Sequence, residues 1–290
     1  MSQIGYPAWV IRYLERLGLA PEPPSYEYLS AICRAHLSAV PFENISKLIY
    51  YRNRSRSTAP IPPVELFVDN MMRFDFGGTC YTLNSRLHLL LKALGFNCYL
   101  VQLGNDHMAV LVKLPDLPGE RVYVDCGAAA PLFRPVRFER DVQNLSSFAG
   151  EQVRLVPDQK QKGYYRYLRY RRNELISNEW LFHPDEQKTF AQFIPLIKRA
   201  NQPGASFMRV LRCQLFQLDK RRSLSLLNNV FTIRYEDGSD FQLLLGSSKE
   251  IRRVLAEDFR LPRLPVEEAI NVLESLGIDI FAPTANGANR

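Results

Sequence analysis

The chain has 290 residues, 46% apolar and 23% charged, a balance that excludes dominant disorder and is long enough for more than one lobe. Its 37 basic and 30 acidic residues leave a net charge of +7, which favours anionic ligands but is too dispersed to require nucleic acid. No apolar run approaches the ~18 residues of a membrane span, and the start lacks a basic-then-apolar leader, so no membrane contact is expected and the expected location is cytoplasmic.

In chain order, residues 6–19 place Trp9, Ile11, Tyr13, Leu14 and Leu17 at helical spacing, with Gly18 and the proline-rich stretch 21–24 ending the element. Ser25 then reads as the N-cap of a second helix over 26–40, stopped by Pro41. Residues 51–63 read as an exposed loop. The most regular helix spans 80–94, with Leu83, Leu87, Leu90, Leu91 and Leu94 on one face and Gly95 closing it.

Beyond residue 95 the period changes to two. Runs at 98–103, 107–114 and 121–126 predict strands separated by Gly104-Asn105-Asp106 and by Pro115-Asp116-Leu117-Pro118-Gly119. Further strands are expected at 153–156, 164–170, 209–216, 230–235 and 241–245, then a helix over 266–276 and a frayed Ala-, Asn- and Gly-rich tail. Five scattered cysteines without a CxxC pair, and four histidines without metal-ligand spacing, point to neither a disulfide framework nor a metal site.

Cys80 opens the leucine-rich helix directly after Gly77-Gly78-Thr79. A sulfur there meets unpaired N–H groups and the positive end of the helix dipole, which favour a thiolate, although a small buried capping residue fits the same place. A thiol nucleophile needs a base and a group to orient that base. His107 and Asp125 have their midpoint at residue 116, inside the second turn, so a hairpin centred there sets them opposite each other on one face. A one-residue slip would separate them, and a polar strand-end histidine is the plainer alternative.

The segments Pro41-Phe42-Glu43-Asn44, Gly77-Gly78-Thr79-Cys80 with Asn84, Asp106-His107-Met108 and Tyr123-Val124-Asp125-Cys126-Gly127 together resemble the successive motifs of the arylamine N-acetyltransferases. Asn201-Gln202-Pro203-Gly204-Ala205-Ser206-Phe207 and Leu227-Asn228-Asn229 resemble that family's second half. The resemblance implies a multi-lobed α+β fold with a cysteine-protease-like Cys-His-Asp core. Its parts would be an N-terminal helical bundle (1–95), a central antiparallel β-barrel (96–205) and a C-terminal α/β lid (206–290).

It also implies ping-pong transfer of an acetyl group from acetyl-CoA, as co-substrate and without metal, to an arylamine, arylhydrazine or N-hydroxyarylamine. Cys80, His107 and Asp125 would be the triad, and Phe42 and Phe207 would line the acceptor pocket unless they simply pack the core. The backbone N–H groups of Cys80, Gly127 and Ala128 are candidate oxyanion donors, though Gly127 also suits a positive-φ turn. The partners implied are a small aromatic amine and coenzyme A.

The pattern departs at Phe76, where the family carries arginine. If that arginine pairs with Glu43, Arg73 is the candidate to replace it. A second departure is Ala128-Ala129-Ala130, where the family carries an aromatic residue that shapes the acceptor pocket. An amide synthase acting on a carrier-bound acyl chain, a cysteine hydrolase and a ligand-binding homologue without turnover are the competing functions. The basic, tyrosine-rich run 160–172 fits a strand with one solvated face better than a single-stranded nucleic-acid site.

Overall fold

The predicted apolar face Leu83, Leu87, Leu90, Leu91 and Leu94 is buried throughout, and it makes α5 (Cys80–Ala93) the post on which the N-terminal half is built. The computed structural model describes residues 5–54 and 61–282. Part of the expected 51–63 loop and nearly all of the expected frayed tail therefore lie outside the described residues.

Four helices precede α5: α1 (Ala8–Leu17), α2 (Tyr26–Ala39), α3 (Ile45–Arg52) and α4 (Val64–Phe74). Gly18 ends α1 in the left-handed region at φ 69°, and the Ser25 hydroxyl caps α2 by accepting from the Tyr28 N–H at 3.1 Å. Helices α3 and α4 go beyond the sequence expectation. The buried set Val64, Phe67, Val68 and Met71 nevertheless has the i, i+3, i+4, i+7 spacing of a helix.

Strand β1 (Phe42–Glu43) interrupts these helices. It joins β9 (Arg212–Gln217), β10 (Arg222–Leu227), β11 (Val230–Tyr235) and β12 (Asp240–Leu244) in one antiparallel sheet ordered β1-β9-β10-β11-β12. A second sheet is β2 (Asn97–Leu103), β3 (His107–Lys113) and β4 (Arg121–Val124). The third is β5 (Ser146–Phe148), β6 (Glu151–Pro157), β7 (Tyr165–Arg171) and β8 (Glu174–Phe182). Helix α6 (Phe190–Ala200) follows it, and α7 (Ser248–Glu257) and α8 (Val266–Ser275) close the chain.

The expected central barrel is absent: among the described residues none of the three sheets closes. The outer edge of β4 meets residues 131–137 only at the Tyr123–Val136 bridge, and the outer edge of β2 meets Lys188 only at Leu100. Pro131 and Pro135 remove N–H donors from the first of these segments, so it cannot run on as a ladder strand. The β7–β8 hairpin turns through Arg172 and Asn173, both at positive φ, a turn without the glycine that would have announced it.

The Pro41–Asn44 and Gly77–Cys80 motifs are zipped together. Glu43 N–H donates to Gly78 O at 3.0 Å, and the buried Glu43 carboxylate accepts from Gly77 N–H, Ser46 N–H and the Ser46 hydroxyl at 3.0, 2.8 and 2.6 Å. Burial raises the Glu43 pKa against these three donors. Among the described residues no arginine takes part. Arg73 lies over the Phe74 ring instead, while Phe76 is buried edge-on to Tyr50. Gly77 is required by closeness, since a Cβ there would stand 1.9 Å from Pro41 O.

Gly77→Ala is therefore expected to lower unfolding stability by about 3 kcal/mol or more. Gly204→Ala, with open space around it, should stay within about 0.5 kcal/mol. Equal urea midpoints for the two variants would contradict the close approach.

Candidate active site

The first turn of α5 carries Cys80, and the start of β3 carries His107. Asp125 follows the end of β4. The β3–β4 register pairs Val110 with Val124 and Leu111 with Tyr123, which places the hairpin centre one residue later than expected. That is a two-residue slip in pairing. Because side chains alternate, a two-residue slip keeps both residues on one face and makes them diagonal neighbours. His107 Nε2 lies 2.7 Å from Asp125 Oδ2, and both side chains are almost fully buried.

Asp125 is held by four donors. Tyr123 OH shares Oδ2 at 2.7 Å, while Asn84 Nδ2 and the Gly127 N–H donate to Oδ1 at 2.8 and 2.9 Å. Asn84 lies one turn along α5 from Cys80. It also donates to Met108 O at 2.5 Å and accepts from Cys126 N–H at 3.0 Å, so one side chain ties α5 to β3 and to the chain just after β4. Burial, the largest influence on Asp125, pushes its pKa up. The His107 charge and the donors outweigh it, and the net shift is downward.

Burial likewise pulls the His107 pKa down, but the Asp125 charge and hydrogen bond, with contact to the Cys80 thiol, raise it to about 10. Asp125 occupies Nε2, which leaves Nδ1 as the ring nitrogen available to the sulfur. His107 and Asp125 are bonded to each other, and Cys80 is among the groups that raise the His107 pKa.

Phe42 and Phe207 meet edge-on with centroids 5.3 Å apart. Phe207 lines a cleft of about 220 Å³ with Cys80, Lys47, Thr79, Asp106 and Arg199. A larger depression beside α7 is lined by Lys249, Glu250, Arg252 and Arg253, without a cysteine or histidine.

Gly127 corrects the oxyanion expectation, because its N–H is committed to Asp125. Its φ is not positive either. The missing side chain answers to crowding, since a Cβ would stand 2.7 Å from the Cys80 Cα. The carbonyls of Ala128 and Ala129 accept from the Arg169 guanidinium at 3.1 and 2.8 Å. In the basic run, Arg166 pairs with Asp158, and Arg169 and Arg171 pair with Glu151.

Sequence reasoning missed two residues. Trp180, from β8, stacks on the His107 ring at 3.8 Å and 11°, and Lys47 enters the cleft from α3. Neither stands in the quoted motifs, and no local period marks either one. Among the described residues no group of acids, histidines or cysteines could hold a metal, and no helix is long and apolar enough to cross a membrane.

A family model described as N-acetyltransferase matches residues 25–267. No curated protein sequence matches. The fold is similar to an arylamine N-acetyltransferase from Salmonella typhimurium, with a TM-score of 0.75 at 18% identity over 93% of this chain and 100% of that one. It is also similar to the Mycobacterium marinum arylamine N-acetyltransferase in complex with CoA, at 0.74 and 17% over 92% and 99%. A Bacillus cereus arylamine N-acetyltransferase with a Cys-His-Glu catalytic triad matches at 0.69 and 20% over 87% and 98%.

The raised His107 pKa fixes a sign. Its pair with Asp125 stabilises the fold fully below the ordinary histidine value of 6.5 and is lost as pH rises through about 10. The stability gap between wild type and His107→Gln in urea should therefore narrow by more than about 1 kcal/mol between those limits. A constant gap would contradict the shift.

Proposed function

The chain belongs to the arylamine N-acetyltransferase family, an acyltransferase enzyme, and on that premise we propose that Cys80 carries an acetyl group from acetyl-CoA to an arylamine, arylhydrazine or N-hydroxyarylamine. The observation that carries this is Cys80 on the wall of the cleft, with the Cys80 thiol acting on the buried His107 that Asp125 holds. In this reading residues 1–95 supply the nucleophile, 96–205 the base and its carboxylate, and 206–290 the lid.

Cys80 passes its proton to His107, whose imidazolium Asp125 stabilises, and the sulfur attacks the thioester carbonyl. The oxyanion meets the N–H of Cys80, which has no intrahelical acceptor at the first position of α5, and the N–H of Ala128. Collapse expels CoA sulfur, which takes the proton from His107 and leaves acetyl-Cys80. The amine then attacks that thioester, His107 removes its proton, and the Cys80 sulfur leaves. Phe42 and Phe207 offer the acceptor ring two aromatic edges beside the sulfur.

Asp125 acts by orientation as well as charge. With Oδ1 held by Asn84 and Gly127, its Oδ2 has one place to be, and His107 is turned with it. Trp180 covers the imidazole face, so the ring cannot tip out of line. The four-donor cage explains how a carboxylate stays ionised while buried.

Mass spectrometry of the protein mixed with acetyl-CoA should show the gain of one acetyl group, absent in Cys80→Ala and discharged by an aromatic amine. Asp125→Asn should slow acetylation by about 10²-fold or more. No acetyl adduct on wild type, or one that survives in Cys80→Ala, would end this reading.

A further inference from the structure

Lys47 is a charged cleft residue that the reaction outlined above does not use. It sits on the first turn of α3, three residues after Asn44, and its amine faces the cleft that holds Cys80. Burial lowers its pKa to about 8, and the nearby Cys80 opposes that shift. Among the described residues no carboxylate or carbonyl is bonded to it. Glu43, one turn back, spends its carboxylate on Ser46 and Gly77.

The other charges facing the cleft are Arg199 on α6 and Asp106 at the β2–β3 turn, so the lining carries two cations and one anion. A half-buried ammonium without a counter-ion is costly, and an incoming anion relieves that cost. The aromatic ring of Phe207 stands on the same cleft, with Phe42 packed against it from behind. A flat ring with an anionic substituent would therefore meet both features at once.

We propose that Lys47 is a specificity-determining residue that selects reactants carrying a carboxylate close to the reacting centre. The carboxylate belongs either to the ring of the amine acceptor or to the far end of a dicarboxylic acyl thioester. This rests on Cys80 being the acyl-carrying nucleophile, and it names the substrate class of that same site.

Alkylation of Cys80 separates the two claims, because iodoacetate and iodoacetamide differ chiefly by one charge. The iodoacetate-to-iodoacetamide rate ratio should exceed that of a small free thiol by about tenfold, and Lys47→Met should remove most of that excess, leaving the part due to His107 and Arg199, while Lys47→Arg keeps it whole. The thiol's own titration cancels in the ratio. In wild type the excess should also fade as pH rises through about 8, a check that needs no variant. His107, Tyr81, Asp106 and Arg199 also face the sulfur or the cleft, and Tyr81, whose pKa burial raises, stays neutral in that range.

Turnover then identifies the source. One arm compares an aminobenzoate with its amide, using acetyl-CoA, and the other compares succinyl-CoA with butyryl-CoA, using aniline. The arm with a preference of about tenfold in kcat/KM, lost in Lys47→Met with the neutral reactant unchanged, names the source. No preference in either arm overturns the proposal. So does a Lys47→Met variant that slows neutral and charged reactants alike, or that only raises KM for acetyl-CoA. If neither reagent labels Cys80, the nucleophile assignment falls and the Lys47 proposal with it. If both label it at the free-thiol ratio, only the Lys47 proposal falls.

Discussion

A single buried carboxylate organises this molecule. Asp125 is sealed from solvent, yet four donors from four places in the chain converge on its two oxygens: His107, Tyr123, Asn84 and the Gly127 backbone. An ionised group at that depth is tolerated only when its charge is balanced and its lone pairs are filled. Removing one partner from such a pair costs about 3–5 kcal/mol. The same bonds that make the charge bearable therefore lock α5, β3 and β4 into one relative position.

Cys80 is fixed by a second set of constraints that meets the first only at Gly127. Pro41 to Glu43 runs alongside Gly77 and Gly78, the Glu43 carboxylate gathers the Gly77 and Ser46 amides, and Gly127 lies against the Cys80 Cα. Each contact needs backbone where a side chain would collide. The start of α5 is thus clamped between β1 and the loop after β4, and Cys80 has little freedom other than its own χ1. Phe76 does not weaken this clamp, because the Glu43 carboxylate is filled by three donors from Ser46 and Gly77.

Legibility followed distance along the chain. Cys80 could be read because helix start, glycine pair and leucine face are contiguous, and the facing of His107 and Asp125 survived a wrong hairpin centre because only odd slips change the face. The helices α3 and α4 left apolar spacing in the sequence, but it was masked by the polar and proline-rich stretch around 51–63. The barrel failed for a reason that local patterns understate: two prolines between residues 131 and 135 break the edge that would have closed it. Trp180 and Lys47 were hidden because each reaches the site from an element far from the motifs, with no signal until β8 and α3 are folded into place. Gly127 was misread because crowding and positive φ both call for glycine, and sequence alone does not tell which one acts.

The depth of each group separates chemistry from selection. Asp125, His107, Tyr123 and Asn84 are enclosed, and their geometry is settled before any substrate arrives. Lys47, Arg199, Asp106 and Phe207 stand at the wall of the cleft, where charge and shape are felt by whatever enters. Cys80 lies at the boundary, with the His107–Asp125 pair on its buried side and Lys47 on the cleft side. Both cations favour negative charge at or near the sulfur, and in the proposed reaction the imidazolium, with a carboxylate behind it, is the one that carries the proton. A fold that buries its acid–base pair this completely can alter the cleft wall, as at Lys47, while leaving the bonds that hold His107 and Asp125 intact.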